Sequence, residues 1–340
     1  MIKVAAFTGG RDVPSARFRV RQYIGRLRSE GVDITEYPAP LSVYPPRNRL
    51  IRPGWGFATL ATRIPGIFSS YRYDMTLLQR EMLSTFVTLE PLAKRPHVLD
   101  VDDAIWLLRD GRFAERLARD CESIICGNAF LAEHFSRWNP RVSVIPTAVD
   151  TDRYVPQNPV EEPIIGWSGT SGGFRYLYAI EPVLTAVLRK VPGSRIRIVS
   201  DLDPSFRDIP CDRVEIIRWS PQNEVQAIQG MAIGVMPLED SLWARGKCSY
   251  KMLTYMACGL PVVVSPVGMN GEILSQGTVG FGPKSKDEWI SALCFLSENR
   301  KERVQMGKCG RQVVLEKYSI DMVAKALANS LLKTAGLRAR

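Results

Sequence analysis

Apolar residues recur along this chain in short runs, and stretches with helical spacing separate many of them. IKVAAF at 2–7 reads as a buried strand closed by the turn residues Thr8, Gly9 and Gly10. From 15 to 30, Val20, Ile24 and Leu27 stand at i, i+4 and i+7 in a segment that holds five arginines, and Gly31 follows, which predicts one helix. DMTLLQ (74–79), HVLDV (97–101), SIICG (123–127) and VSVIP (142–146) are further strand candidates. Strands alternating with helices predict a parallel sheet covered on both faces.

Between about 150 and 163 the texture changes to VDTDRYVPQNPVEEP, polar and rich in proline, which reads as a linker. The alternation then restarts: IIGWSG (164–169), a helix near 174–190, RIRIVS (195–200), VEIIRW (214–219), AIGVMP (232–237), a helix opening at GKCSYK and the run LPVVVSP. A helix-rich tail covers 286–335. The expected architecture is α/β, two doubly wound Rossmann-like domains with a cleft between them. The first takes 1–155 together with a crossover helix at about 319–340, and the second takes 156–318.

A length of 340 residues fits two domains, and an apolar fraction of 45% with 24% charged residues fits a globular protein. No apolar run is long enough to span a bilayer, and the N-terminus lacks the apolar core of a secretion signal. Seven cysteines without zinc or CxxC spacing suggest reduced thiols, so a cytoplasmic location is expected. The net charge of +10 is unevenly spread, because residues 1–72 hold twelve Lys or Arg against four Asp or Glu. That surplus suggests an anionic membrane surface as partner of residues 11–72, and the segment RNRLIRPGWGFATLATRIPGIF (47–68) mixes arginines with aromatic residues as such a surface requires. No nucleic-acid partner is expected.

The candidate chemistry lies where strands end and helices begin. After the strand at 164 come Gly169, Thr170, Ser171, Gly172 and Gly173, small residues that let backbone N–H groups approach a phosphate. Arg175 follows just inside the next helix. Lys247 and Lys251 flank Ser249, an N-cap candidate, and Tyr250 follows it. Cations at a helix N-terminus oppose its partial positive charge unless an anion compensates them. A diphosphate would do so through charge-assisted hydrogen bonds. The glycine loop is neither GxxxxGK[ST] nor GxGxxG.

In the first half, HVLDVDDAIW brings Asp100, Asp102 and Asp103 to a strand's carboxyl end, where clustered carboxylates would face the cleft and raise one another's pKa. The alternative for Asp102 or Asp103 is a helix N-cap. Gly9 and Gly10 form the first-domain loop nearest the expected phosphate, and Arg17 and Arg80 are further cleft candidates. His97 and His134, the two histidines, are not placed as general bases.

RVSVIPTAVDT (141–151), GWSGTSGGFRYL, YMACGLPVVVSPVGMNGEIL (255–274) and KYSIDMVAKAL (317–327) resemble segments of the retaining glycosyltransferases of family 4, the group 1 glycosyltransferases of GT-B architecture. The resemblance implies a nucleotide-diphosphate sugar as donor substrate with no further cofactor and no metal. It also implies front-face attack, in which the leaving diphosphate takes the acceptor proton. Arg175, Lys247, Lys251, Asp102 and Asp103 would then be the catalytic set, and Gly9, Gly10, Gly169, Thr170, Ser171, Gly172, Ser249, Tyr250 and Glu272 the donor contacts. The family's two donor-site glutamates fall on Gly246 and Thr254, so the chain departs from the pattern there, and Glu272 is the alternative acidic partner.

The acceptor is expected to be a glycan or a lipid-linked glycan, reached at the inner face of the plasma membrane. Three rivals stand beside this reading. One is a metal-dependent GT-A enzyme using a DxD pair, Asp100–Val101–Asp102 or Asp201–Leu202–Asp203. The others are a nucleotide-sugar epimerase on the same fold and a noncatalytic basic surface or nucleic-acid binding module.

Overall fold

The structure is a computed structural model, and it describes residues 1–336. Two compact units emerge. The first comprises Met1–Ala148, the tripeptide Gly246–Cys248 and the chain from Ile320, and the second comprises Val149–Arg245 and Ser249–Ser319.

The first unit is built on β1 (Ile2–Thr8), β2 (Val32–Pro38), β3 (Met75–Gln79), β4 (His97–Val101), β5 (Ser123–Cys126) and β6 (Val142–Val144). All pairings are parallel, in the order β2-β1-β3-β4-β5-β6. Its helices are α1 (Pro14–Arg19), α2 (Ile24–Ser29), α3 (Arg52–Ser70), α4 (Arg112–Asp120) and α5 (Ala129–Phe135). The strands are near-continuous apolar runs because helices cover both faces. Val4, Ala6, Leu77, Val98 and Ile125 pack with Tyr23 and Leu27 in one core.

The single helix expected at 15–30 is instead α1, a 3-10 turn and α2, broken at Val20 (φ −128°, ψ −64°). The break follows Arg19, whose guanidinium turns inward to the Asp100 carboxylate (2.7 and 3.0 Å) and the Ile145 carbonyl (2.9 Å). Strand β2 was not foreseen, although Val32, Ile34 and Glu36 alternate with Asp33, Thr35 and Tyr37 in the two-residue rhythm of a strand.

The second unit repeats the plan with β7 (Ile164–Ser168), β8 (Arg195–Ser200), β9 (Val214–Arg218), β10 (Ile233–Met236), β11 (Val262–Val264) and β12 (Gly280–Phe281). The helices are α6 (Phe174–Ala179), α7 (Glu181–Lys190), α8 (Glu224–Gln229), α9 (Leu242–Arg245), α10 (Tyr250–Ala257), α11 (Met269–Leu274), α12 (Lys286–Glu298) and α13 (Arg300–Lys317). Strand order is β12-β11-β10-β7-β8-β9, again parallel, which is the dinucleotide-fold order with its reversal between β7 and β10. Trp167, Ile198, Val235 and Val263 from the sheet pack against Leu184, Val187, Leu293 and Leu296.

The last helix, α14 (Ile320–Gly336), belongs to the first unit, where Val323, Leu327 and Leu331 join the core of β1 and β3. Of the crossover helix expected at 319–340, residues 337–340 lie outside the described residues. Among the described residues no helix is long and apolar enough to cross a membrane.

Candidate active site

In the second unit the strand order reverses between β7 and β10, so the crevice beyond their carboxyl ends is the place for a ligand. Beyond the ends of β10, β11 and β12 lies a cavity of about 830 Å³, bordered by Arg175, Tyr176, Glu239, Asp240, Lys284 and Trp289. The Arg175 guanidinium is exposed, stacks on the neighbouring Tyr176 ring (4.6 Å) and donates to its hydroxyl (2.6 Å).

The loop after β7 brings Gly169 to Gly173 against Lys251. The Lys251 ammonium stands 4.1 Å from the centre of the buried Trp167 ring. A Cβ at Gly169 would collide with that ammonium, and one at Gly173 would lie 2.9 Å from the Trp167 ring. Only glycine lets loop, indole and lysine come this close. Helix α10 is itself pinned to the strand end, because the Ser168 N–H donates to the Tyr255 hydroxyl (2.8 Å).

Two donors of the loop, both from Ser171, already have an anion. The Ser171 N–H (2.6 Å) and hydroxyl (3.1 Å) both donate to the Asp201 carboxylate. Slight burial works to raise the pKa of Asp201, but these bonds from Ser171 outweigh it and hold the carboxyl below its ordinary value. Its DxD companion Asp203 pairs loosely with Arg218 (3.5 Å) on the surface, while Asp100 of the other DxD pair is committed to Arg19.

Ser249 stands at the helix start as expected, but its side chain makes no capping bond. Its backbone is left-handed (φ 52°, ψ 25°), a conformation that costs a non-glycine residue about 1 kcal/mol or more. Tyr250 is the first residue of α10. Glu272 sits exposed in the first turn of α11 and does not border the cavity.

The tripeptide Gly246–Cys248 belongs to the first unit. There the Lys247 ammonium reaches Asp103 (3.2 Å), its carbonyl accepts from the Asn128 amide (3.1 Å), and the Cys248 thiol donates to the Asp102 carbonyl (3.2 Å). The two positions aligned with the family's glutamates are closed to them. A Cβ at Gly246 would stand 2.9 Å from both the Cβ and N of Ala104, and Thr254 is buried with its hydroxyl donating to the Lys251 carbonyl (2.8 Å).

In the first unit Asp102 and Asp103 follow β4 but cap nothing, since the 3-10 turn Ile105–Leu107 has Ala104 at its start. Asp103 sits between Lys247 and Arg80 (3.6 Å). Asp102 has a buried, unpartnered Oδ1. Burial first, and the Asp103 charge second, push its carboxyl up to about 7 against the pull of Arg80. Arg80 directly follows β3 in a left-handed conformation (φ 63°). Gly9 and Gly10 border a second cavity of about 670 Å³ together with Arg11, Asp12 and Tyr44. Gly10 has φ 143°, which favours glycine there. Arg17 stacks on Phe18 (4.8 Å). His97 contacts the Ala93 carbonyl, and His134 stacks on Trp106 at 3.8 Å.

Sequence reasoning missed Trp167 and Lys284, and it met Asp201 only as half of a DxD pair, not as the partner of the glycine loop. Trp167 stands two residues before Gly169 and was legible only as a strand residue. Lys284 follows the two-residue β12, which is too short to leave a pattern.

Residues 164–299 match the family model described as glycosyl transferases group 1. The matched residues all fall in the second unit apart from the tripeptide Gly246–Cys248. No curated protein matches the chain. Among solved structures, sucrose-phosphate synthase from Thermosynechococcus elongatus aligns over 100% of both chains with a TM-score of 0.72 at 16% identity. HepE of Anabaena in complex with UDP-glucose aligns over 98% of this chain and 100% of its own, with a TM-score of 0.68 at 13% identity. A glycosyltransferase from Rickettsia africae aligns over 98% of this chain and 99% of its own, with a TM-score of 0.64 at 12% identity. At these identities the likeness is one of fold, and the fold is GT-B.

Proposed function

We propose that this glycosyltransferase takes a nucleotide-diphosphate sugar as donor and transfers its sugar, with retention, to a hydroxyl of a glycan or lipid-linked acceptor, without a metal. The observation that carries the reading is the Lys251 ammonium set against the Gly169–Gly173 loop at the reversal of the second sheet. A diphosphate lying on that loop meets the ammonium. Arg175, on the border of the adjoining cavity, adds a second cation. Trp167 holds the lysine by a cation–π contact until the anion arrives. The solved complex of Anabaena HepE with UDP-glucose makes a UDP-sugar the first donor to test.

In the retaining scheme the acceptor oxygen attacks the anomeric carbon on the face from which the diphosphate leaves. The carbon–phosphate-oxygen bond breaks, and the leaving oxygen takes the acceptor proton. Protein side chains then supply position and charge rather than a base. Lys251 and Arg175 neutralise the leaving group, and loss of one such contact costs about 3 kcal/mol, roughly a hundredfold in rate. The first unit suits the acceptor. Its cavity beside Gly9 and Gly10 has room for a sugar, and Asp102, with an unpartnered oxygen, and Asp103, held by Lys247, suit acceptor hydroxyls. The reading locates the enzyme in the cytoplasm, peripheral on the inner membrane face.

A thermal-shift panel of UDP-, GDP-, ADP- and CMP-linked sugars tests it, because a true donor raises the melting temperature by mass action. One donor class is expected to stabilise the native chain and to lose that effect in Lys251→Met, with turnover surviving EDTA. Silence across the whole panel, or equal stabilisation of the variant, overturns the reading. Donor conversion in the absence of acceptor would turn it toward an epimerase.

A further inference from the structure

We infer that α3 lies flat on an anionic bilayer, with Leu50, Phe57, Ile64 and Phe68 inserted among the lipid tails and the neighbouring arginines on the headgroups. The inference rests on the acceptor side of the reading above, names its partner surface, and is tested without donor or acceptor.

A helix on the surface of a soluble domain turns its apolar stripe inward and its polar face to water. Helix α3 does the reverse. Its buried residues are Thr59, Arg63, Ile67 and Ser70, three of them polar. The Arg63 guanidinium donates through its two terminal nitrogens to the Thr8 (2.7 Å) and Tyr37 (3.0 Å) carbonyls, at the ends of β1 and β2. The Ser70 hydroxyl bonds back to the Ile67 carbonyl (2.6 Å). Gly66 lets the helix approach the sheet, since a Cβ there would stand 3.0 Å from the Phe7 ring and 3.3 Å from Tyr37.

The large apolar side chains point the other way. Leu50 is 89% exposed, Phe57 78%, Phe68 73% and Ile64 43%. Leu50 lies in the 3-10 turn Arg49–Ile51 that leads into the helix. At 100° per residue, Phe57, Ile64 and Phe68 fall within an arc of about 40°, so they form one stripe down a helix roughly 28 Å long, with Leu50 in the turn before it. An exposed stripe of this kind marks an interaction site rather than chance exposure.

Charge identifies the partner. From 37 to 73 the chain holds no Asp or Glu, yet it holds Arg47, Arg49, Arg52, Arg63 and Arg72. Arg47, Arg49 and Arg72 are exposed, and Arg52 is half-buried. A second copy of the chain docking on the same face would bring like charges together, which disfavours a two-fold dimer. A nucleic acid would satisfy the arginines but not the stripe. An anionic lipid surface satisfies both, and the helix lies in it rather than across it.

Flotation of the full chain with vesicles tests the inference. The native chain should float with phosphatidylglycerol–phosphatidylcholine vesicles and much less with phosphatidylcholine alone, and salt should weaken the binding. Phe57→Glu with Phe68→Glu should lower the partition coefficient at least about tenfold, and Arg47→Gln with Arg49→Gln by about fivefold for each arginine lost near the surface. Both variants should keep the native melting temperature and the native response to nucleotide sugars, because the substituted side chains are exposed and outside the donor site. Equal flotation of native chain and Phe57→Glu Phe68→Glu variant would overturn the inference, as would equal binding to the two kinds of vesicle. So would native dimers in sedimentation velocity, lost in the variant, with no vesicle binding. A failed donor reading would show in the sugar panel and leave the flotation result untouched.

Discussion

Lys251→Met is the sharpest test of the donor site, because it keeps an apolar chain on Trp167 and removes only the charge. In the free protein the ammonium rests 4.1 Å over the indole, a contact worth about 0.5–2 kcal/mol, and methionine recovers part of it through its sulfur. Stability should therefore fall by no more than about 1 kcal/mol. Binding should suffer more. A charge-assisted hydrogen bond to a phosphate contributes about 1.5–3 kcal/mol, so the dissociation constant of a nucleoside diphosphate should rise roughly ten- to 150-fold. The bare nucleoside carries no phosphate and should bind both proteins equally. Calorimetric titration with the best diphosphate from the sugar panel, and with its nucleoside, separates the two effects. An unchanged diphosphate affinity, or a nucleoside affinity that falls as far, would refute the placement of phosphate at Lys251.

Gly169→Ala drives a methyl into the same ammonium and into Trp167, so it should cost about 1–3 kcal/mol of stability and reproduce the diphosphate defect; a native titration curve would show that the loop has room to spare. Asp102 keeps its proton up to about pH 7 in the native state, whereas the unfolded carboxyl loses it near 4. The native state then binds more protons in that window, so stability should fall as pH rises through it, by at most about 4 kcal/mol, and level off above. Asp102→Asn should flatten the melting temperature between pH 5 and pH 8, and a parallel slope in the variant would assign it to other groups. Gly246→Glu restores the family's residue type but meets Ala104, so it should destabilise the protein by about 1–3 kcal/mol without raising turnover, and a gain in activity would show that the tripeptide can move aside.

The strands of both sheets were largely legible because parallel strands buried on two faces read as unbroken apolar runs. RIRIVS at 195–200 coincides with β8, and VEIIRW contains β9 whole. What escaped was set by tertiary contact. Periodicity carries Val20, Ile24 and Leu27 as one stripe, but it does not register that Arg19 is drawn to a carboxylate 81 residues away, and the helix breaks there. Strand β2 alternates apolar with polar or aromatic residues and was hidden behind the helix that precedes it. The mixture of arginine and aromatic residues in α3 already suggests an anionic surface in sequence, but it does not show that the helix is turned apolar side out. Only the positions of Thr59, Arg63 and Ser70 against the sheet reveal which side is out.

The lysines of GKCSYK illustrate why a site is harder to read than a fold. Both stand near one helix start, and the dipole argument treats them alike. The structure separates them at Ser249, whose left-handed backbone divides a tripeptide held in the first unit from a helix held in the second. Lys251, within the first turn of α10, meets the glycine loop, whereas Lys247 meets Asp103. The same division accounts for the missing glutamates. Position 246 sits against Ala104, where no longer side chain fits, and position 254 faces the interior of the second unit. With neither position able to present a carboxylate, acidic contacts to the proposed donor fall to other residues. Glu239 and Asp240, on the border of the cavity beside Arg175, are the carboxylates in reach of whatever fills it.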